Sequence, residues 1–518
     1  MAKAGKTAKL IIAGPGAGKT HNMVQQIINA MHRLSPARYI AVITYTNSAT
    51  HNIQNRLAKQ IAIPDNLFIG TIHSFLNKFI VIPYASIVLD NIGSEKLFLQ
   101  CQIDDVLLYV KKLKDKIYTN EETAILKSNI KNKLKKRGYI TFDQTINIAK
   151  ECMDNKTVSR IVSNRLQYLF VDEFQDTDNA IFSVVESIRK QKQTEIYCVG
   201  DPEQYIKSFD SSVRAFGNIP ILKMANSTSY EVAYNYSNHR SSEAIVKFIN
   251  KFSRRDFTGS IFQQKCETNV AGNPVRFIKK YENVAHILPD FFSFCDAENI
   301  APGDRCIIAK KNDVIRKAAS ALGQHFVTPK KSQHSSLLNV MKETLLSTLQ
   351  LSQTEFLERY QVNVYGLRAY ALQILKAING GVIQNENSYV KFVTEKLGLK
   401  VVKGLPVKIE NFKSHVDNQG GGYVTLSNIH TIKGLESEAV LALAKTEAEL
   451  LLWIETDLSV RDAKRNDEET DYPRLGYVAF SRAKKLLCIS CLEAISNDTE
   501  QKLKDLGVVI HGAVIETS

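Results

Sequence analysis

The sequence predicts an α/β protein built from two parallel-sheet cores, each carrying a mainly helical insertion. Short apolar runs alternate with helical patterns near both ends of the chain, and two long helical stretches interrupt that alternation. A strand that feeds a helix crosses over to reach its next parallel neighbour. Alternation of this kind therefore lays helices on both faces of a parallel sheet.

Lys9–Ala13 reads as a strand and Lys19–Leu34 as a helix; Tyr39–Thr44 and Ser48–Ala58 repeat the pair. Tyr168–Val171 and Ile196–Val199 are strand-like, with Asn179–Arg189 helical between them. The first interruption, residues 84–139, is polar, helical and basic: residues 111–137 carry ten Lys or Arg against three acids. Strand patterns resume at Arg276–Ile278, Arg305–Ala309, Tyr423–Leu426, Ala439–Leu443 and Leu486–Leu492. Within the second interruption, Leu338, Met341, Leu345 and Leu349 recur at helical spacing on one face. The division that follows is a first core from residues 1–83 and 140–235 with insertion 84–139. The second core takes residues 236–329 and 421–518, with a short insertion at 330–420.

The 518 residues, 44% apolar and 23% charged, exclude wholesale disorder and collagen-like or disulfide-scaffold classes. A formal charge of +14 favours a polyanionic partner, nucleic acid before membrane. No apolar run approaches the roughly 18 to 20 residues that span a bilayer. The longest, Val440 to Ile454, is broken by Lys445, Glu447 and Glu449, and Leu10 to Ala13 is too short for a signal sequence. A cytoplasmic protein without a membrane partner is expected. Of eight cysteines only Cys488 and Cys491 form a CxxC, in an apolar run that reads as a buried strand. No second pair answers it, so core packing is favoured over a four-thiolate metal site.

AGPGAGKT, residues 13–20, follows an apolar run and opens a helical pattern. Glycines let backbone amides approach phosphates, and a helix N-terminus adds positive potential. Gly14, Pro15, Gly16, Ala17, Gly18, Lys19 and Thr20 are thus the candidate triphosphate site. Lys19 is placed to reach the β- and γ-phosphates and Thr20 to bind Mg²⁺. In LFVDEFQD, residues 169–176, an apolar strand ends in two acids. Asp172 is the second candidate Mg²⁺ ligand, and Glu173 the candidate general base for the attacking water. Together the two motifs predict an NTPase; they do not say which kind.

Six further segments decide that: TYTNSATHNI (residues 44–53), GTIHSF (70–75), VGDPEQYIKSF (199–209), NYSNHRSSEAIV (235–246), SNIHTIKGLE (427–436) and YVAFSRAKK (477–485). In order and spacing, together with AGPGAGKT and VDEFQD, they resemble the motif ladder of superfamily 1A helicases, the UvrD/Rep/PcrA group. The resemblance spans residues 11 to about 490. It implies two RecA-like P-loop domains, each with an inserted helical domain, and ATP-driven movement 3′ to 5′ along single-stranded or partly duplex DNA. It also implies roles. Gln204 matches the γ-phosphate sensor, and Arg240 and Arg482 match two arginine fingers of the second RecA-like domain. Glu436 matches a residue at the bound nucleotide. Tyr45 and Phe209 match aromatics that stack on bases, and Thr71, His73, His430 and Thr431 are placed to contact phosphates. A local structural role stays open for these six DNA positions, and a surface ion pair for either arginine.

Three departures stand out against that family. No Gln precedes Gly14, so the glutamine motif that reads adenine is missing. Lys207 stands where the family usually has an aromatic, and Asp210 where it often has Arg. The second insertion is short. The compact plan is similar to the helicase subunit of Gabija antiviral systems, which implies an OLD-family TOPRIM nuclease as partner. No fused nuclease is expected beyond residue 490. A stand-alone repair helicase is the alternative. So is a nucleic-acid sensor or scaffold whose ATPase switches a partner without processive unwinding.

Overall fold

The computed structural model describes residues 8–89, 100–101, 119–207, 216–257, 261–270, 272–323, 325–328, 337–362, 364–402, 423–463 and 472–512. Phe209, Asp210 and residues 111–118 of the basic stretch lie outside them.

Two parallel sheets form the frame. The first contains β1 (Ala8–Ala13), β2 (Tyr39–Thr44), β3 (Leu67–Thr71), β4 (Leu166–Val171), β5 (Glu195–Gly200) and β6 (Glu231–Asn235), in the spatial order β3-β2-β4-β5-β1-β6. The second contains β7 (Arg276–Ile278), β8 (Arg305–Ala309), β9 (Phe326–Val327), β10 (Val424–Asn428), β11 (Ser437–Ala444), β12 (Ala483–Cys491) and β13 (Val509–His511). Its order is β9-β10-β8-β11-β12-β7-β13. Both sheets have the form of RecA-like domains, as the sequence predicts. Alternate residues feed opposite cores. Leu10, Ile12, Ile43, Leu169 and Val171 pack on one face of the first sheet, and Ile40, Val42, Tyr168 and Phe170 on the other. A strand buried on both faces reads as a continuous apolar run, which is why these were legible.

The helix predicted at Lys19–Leu34 stops at Met31, where His32 to Leu34 turn back ahead of Pro36. Four strands carry no signal that the sequence reading used: β3, β6, β9 and β13. Glu231 and Ala233 of β6 are exposed, so it lacks an apolar run. Its pairing with β1, Ala13 against Asn235, makes it a strand.

In the first insertion, a helix spans Asn120–Lys136, opened by a Thr119–Glu122 capping box and ending in Lys133, Lys135 and Lys136. Beyond β6 the chain does not leave the first core cleanly. Ile245, Phe248, Ile249 and Phe252 enter the second core, but Phe262 is buried in the first, with Tyr236 and Phe257 packed against it.

Residues 330–422 form a separate compact unit. Helices Leu337–Leu349, Gln353–Arg359, Val364–Asn379 and Glu386–Lys391 surround Met341, Leu345, Leu349, Phe356, Leu367 and Tyr389. Met341, Leu345 and Leu349 lie on the apolar face the spacing predicts; the side chain of Leu338 is outside the described residues. Among the described residues, no helix is long and apolar enough to cross a membrane.

Candidate active site

In open parallel sheets, ligand sites form beyond the carboxyl ends of the strands. The first sheet places its candidate residues there. β1 runs into Gly14–Gly18, where Gly16 and Gly18 both adopt φ 70°, and Gly18 opens the Lys19–Met31 helix. The Lys19 ammonium reaches back to the carbonyls of Ala13 (3.3 Å) and Gly14 (3.2 Å). Thr20 follows in the first helical turn.

β4 delivers the two acids. Asp172 is buried, and its Oδ1 accepts from the Glu173 amide at 2.9 Å. Burial, with the Glu173 charge beside it, pushes the Asp172 carboxyl up to about 7, and Lys19 opposes this. Glu173 sits at φ 49°, a left-handed conformation that costs a non-glycine residue energy and clusters at functional sites. Burial works against its charge, but Lys19, Lys433, a hydrogen bond from Gln175 (2.5 Å) and Arg482 together hold its carboxyl below the usual range.

β5 ends at Asp201 and the turn Pro202–Gln204. The Gln204 Nε2 donates to Asp201 at 2.8 Å, while its Oε1 accepts from Arg482 at 3.5 Å. Tyr477, like Arg482 from the second core, donates to Asp201 at 3.3 Å. Arg482 itself is buried. Its guanidinium donates to the carbonyls of Val478 (2.9 Å) and Leu435 (3.2 Å). Burial, then Arg240 nearby, brings it down to about 9, with Glu173 opposing, so it remains a cation at neutral pH.

Arg240 and Glu436 stand beside this group. The Arg240 Nε donates to Glu436 at 2.5 Å, and its NH1 to the Ser481 carbonyl at 3.2 Å. Glu436 and Arg482 immediately precede the paired strand starts Ser437 and Ala483, which is how two distant segments arrive together. Lys19, Asp172, Glu173, Gln204, Arg240, Arg482 and Glu436 are therefore brought into one neighbourhood formed by both cores.

Sequence reasoning missed Lys433. Its ammonium joins both Asp176 oxygens (2.7 and 2.8 Å) and the Gln204 carbonyl (3.0 Å). Its position three residues before Glu436 in KGLE was the available signal. Glu203 was missed as well. It is 3% exposed and meets Arg255 (2.7 Å) and Arg461 (3.1 Å), with Arg474 at 3.9 Å.

The candidate DNA residues occupy two places. Tyr45 follows β2, its hydroxyl 2.5 Å from Thr177 Oγ1, and the Lys207 ammonium lies 4.8 Å from its ring centroid. Thr71 ends β3 and caps the next helix by accepting from the Ser74 amide, and His73 packs edge-on to Phe142. His430 and Thr431 lie in the short helix Ile429–Ile432 after β10, capped in the same way by Asn428. His430 is exposed and Thr431 half-buried. Cys488 and Cys491 are buried in β12 with their thiols pushed up by burial, as core packing requires. Among the described residues no cluster of three His, Cys, Asp or Glu forms a metal site by itself.

Residues 2–210 match the family described as AAA domain. The chain is 27% identical over 282 residues to "ATP-dependent DNA helicase Rep" of Buchnera aphidicola subsp. Acyrthosiphon pisum, covering 46% of this chain and 42% of that protein. It is 25% identical over 259 residues to "Gabija protein GajB" of Bacillus cereus, covering 50% and 48%. Against "Probable DNA helicase II homolog" of Mycoplasma genitalium it is 22% identical over 611 aligned positions, covering 96% and 84%. It thus spans less than half the length of the first two of these proteins. Taken with the motif ladder and the two parallel sheets, these likenesses show a homology to UvrD/Rep-type DNA helicases.

Proposed function

We propose that this chain is an ATP-dependent DNA helicase or translocase, acting in the cytoplasm and moving 3′ to 5′ on single-stranded or partly duplex DNA. The observation that carries the reading is Arg482. A cation from the second core is buried against Gln204 and in the field of Glu173, both on the first. Positive charge delivered across a cleft stabilises phosphoryl transfer only when the two cores close, and that requirement couples hydrolysis to movement. Lys19 and the loop amides bind the phosphates, Glu173 takes the proton of the attacking water, and Gln204 relays the closed state to Arg482. Thr20 and Asp172 offer the hard oxygen donors that fit Mg²⁺, a cation commonly held by few protein oxygens and the substrate phosphates. It would supply charge neutralisation there. Tyr45, Thr71, His73, Phe209, His430 and Thr431 form the DNA track. Residues 1–83 and 140–235 form the ATP-binding core with insertion 84–139, and residues 236–329 and 421–518 the second core with insertion 330–420.

The likeness to a Gabija protein supports an antiviral role with an OLD-family TOPRIM nuclease partner; co-purification with the product of an adjacent nuclease gene tests it. One observation favours a second reading, a sensor ATPase that switches a partner. Lys207 lies over the Tyr45 ring, on a surface a stacking base would use. Displacement of streptavidin from the end of biotinylated single-stranded DNA separates the two. ATP-dependent displacement supports the motor; DNA-stimulated hydrolysis without displacement removes it.

A further inference from the structure

The loop Gly14–Gly18 is gripped from outside by its own carbonyls. The Pro15 oxygen accepts from Asn238 Nδ2 (3.0 Å) and Gln264 Nε2 (2.9 Å). The Gly16 oxygen accepts from the His239 amide at 2.8 Å, and the Ala17 oxygen from Asn235 Nδ2 at 2.8 Å. Three consecutive carbonyls thus point one way. In a trans peptide the following N–H points the opposite way, and no described peptide is cis. The amides of Gly16, Ala17 and Gly18 are therefore turned together toward the other side of the loop. Such a run of amides, opening a helix, makes an anion-binding nest.

The same groups reach the arginine. While its amide donates to Pro15, the Asn238 side-chain oxygen accepts from the Arg240 amide (3.0 Å) and the Ser241 amide (2.9 Å). Gln264 also donates to the Ser237 carbonyl at 3.1 Å. Its own backbone is held on both sides by Asn250, with bonds of 2.9 and 2.8 Å, at the end of a helix whose apolar face enters the second core. Asn238 and Gln264 are almost wholly buried. The fit is tight: a Cβ on Gly16 would stand 2.6 Å from Asn238 Oδ1, and one on Gly14 would stand 2.4 Å from Gln264 Cδ.

We propose that Asn238 and Gln264 are positioning residues for phosphate binding, holding the Pro15 carbonyl so that the loop amides converge on the anion and setting the place of Arg240 from the same bonds. The inference rests on reading Gly14–Thr20 as the phosphate loop. The chain segment that follows β6 thereby shapes the nucleotide site through the loop's own carbonyls.

Fluorescent mant-ADP binding to the full chain tests this, with unfolding midpoints measured alongside. Gln264→Met keeps length but lacks the donor, and should raise the mant-ADP Kd about tenfold, as loss of one buried hydrogen bond would. Asn238→Asp keeps the oxygen that serves Arg240 and loses the donor to Pro15; the same rise is expected. The double variant should lose more than the product of the two, because either single change leaves Pro15 one donor. Should Gln264→Met fail to fold, Gln264→Asn retains the carboxamide but falls one methylene short. Affinities within about twofold of the parent, with or without a lowered unfolding midpoint, overturn the proposal. A parent whose mant-ADP binding survives Lys19→Ala overturns the phosphate-loop reading instead, and this inference with it.

Discussion

Glu203→Gln should weaken the joint between the two cores by about 3 kcal/mol at neutral pH, most of it lost on acidification. Glu203 follows β5 of the first sheet and accepts from Arg255 (2.7 and 3.0 Å) and Arg461 (3.1 Å). Asp462 answers Arg255 at 2.8 Å and also bonds Arg474, whose guanidinium lies 3.1 Å from the Phe216 ring centroid. Three guanidiniums therefore share two carboxylates, and Arg461 and Arg474 are fully buried. Burial alone would raise the Glu203 carboxyl, but Arg255, Arg461 and Arg474 outweigh it and hold the group at about 2. Against the ordinary 4.5, that difference corresponds to about 3 kcal/mol. Breaking a buried ion pair costs about 3–5 kcal/mol in its own right, so the two routes agree. The sign follows from a depressed folded value: the contribution is complete above pH 4.5 and fades as pH falls toward 2. Trp453, the single tryptophan, is buried in the second core and reports unfolding by its fluorescence. Urea unfolding at pH 7 and pH 3 should show a loss of about 3 kcal/mol for the variant at the first pH and less than half of that at the second. Equal losses at both, or less than about 1 kcal/mol at pH 7, would refute the electrostatic account of this joint.

Lys19→Ala should abolish hydrolysis while leaving a folded, DNA-binding protein; steady-state turnover at the parent rate would remove this loop from the mechanism. Arg482→Ala should keep mant-ADP binding and lose most of its DNA-stimulated hydrolysis, toward the about 10³-fold or more expected of an arginine finger. A fall of less than about tenfold would sink the finger assignment. Single-stranded DNA affinity should drop with salt by about 0.7 log units per decade of salt for each phosphate contacted. A salt-independent affinity, measured by fluorescence anisotropy, counts against a track that follows the backbone.

The legible parts of the molecule were those fixed by neighbours along the chain. β1, β2, β4 and β5 are apolar runs buried on both faces, and the Gly14–Thr20 loop and the Asp172–Glu173 pair sit at their ends. The edges were harder. β3 carries Gly70 within a five-residue strand, and β6 places Glu231 and Ala233 toward solvent. Neither has a period of its own; each becomes a strand by pairing with an inner one. The site divides the same way. Lys19, Asp172, Glu173 and Arg482 are readable from motifs, whereas the Glu203–Arg255–Arg461–Arg474–Asp462 cluster joins segments more than 200 residues apart. No local pattern marks it.

The sequence by itself determined the two α/β cores, the Gly14–Thr20 loop after β1 and the Asp172–Glu173 pair after β4. Local hydrogen bonding and side-chain burial dictate each of these within a few turns of chain. Only the tertiary structure decided which distant groups meet: Lys433 on Asp176, Arg482 on Gln204, and Asn238 with Gln264 on the Pro15 carbonyl. Those meetings join segments far apart in sequence, because a buried donor must find its acceptor wherever the fold brings one.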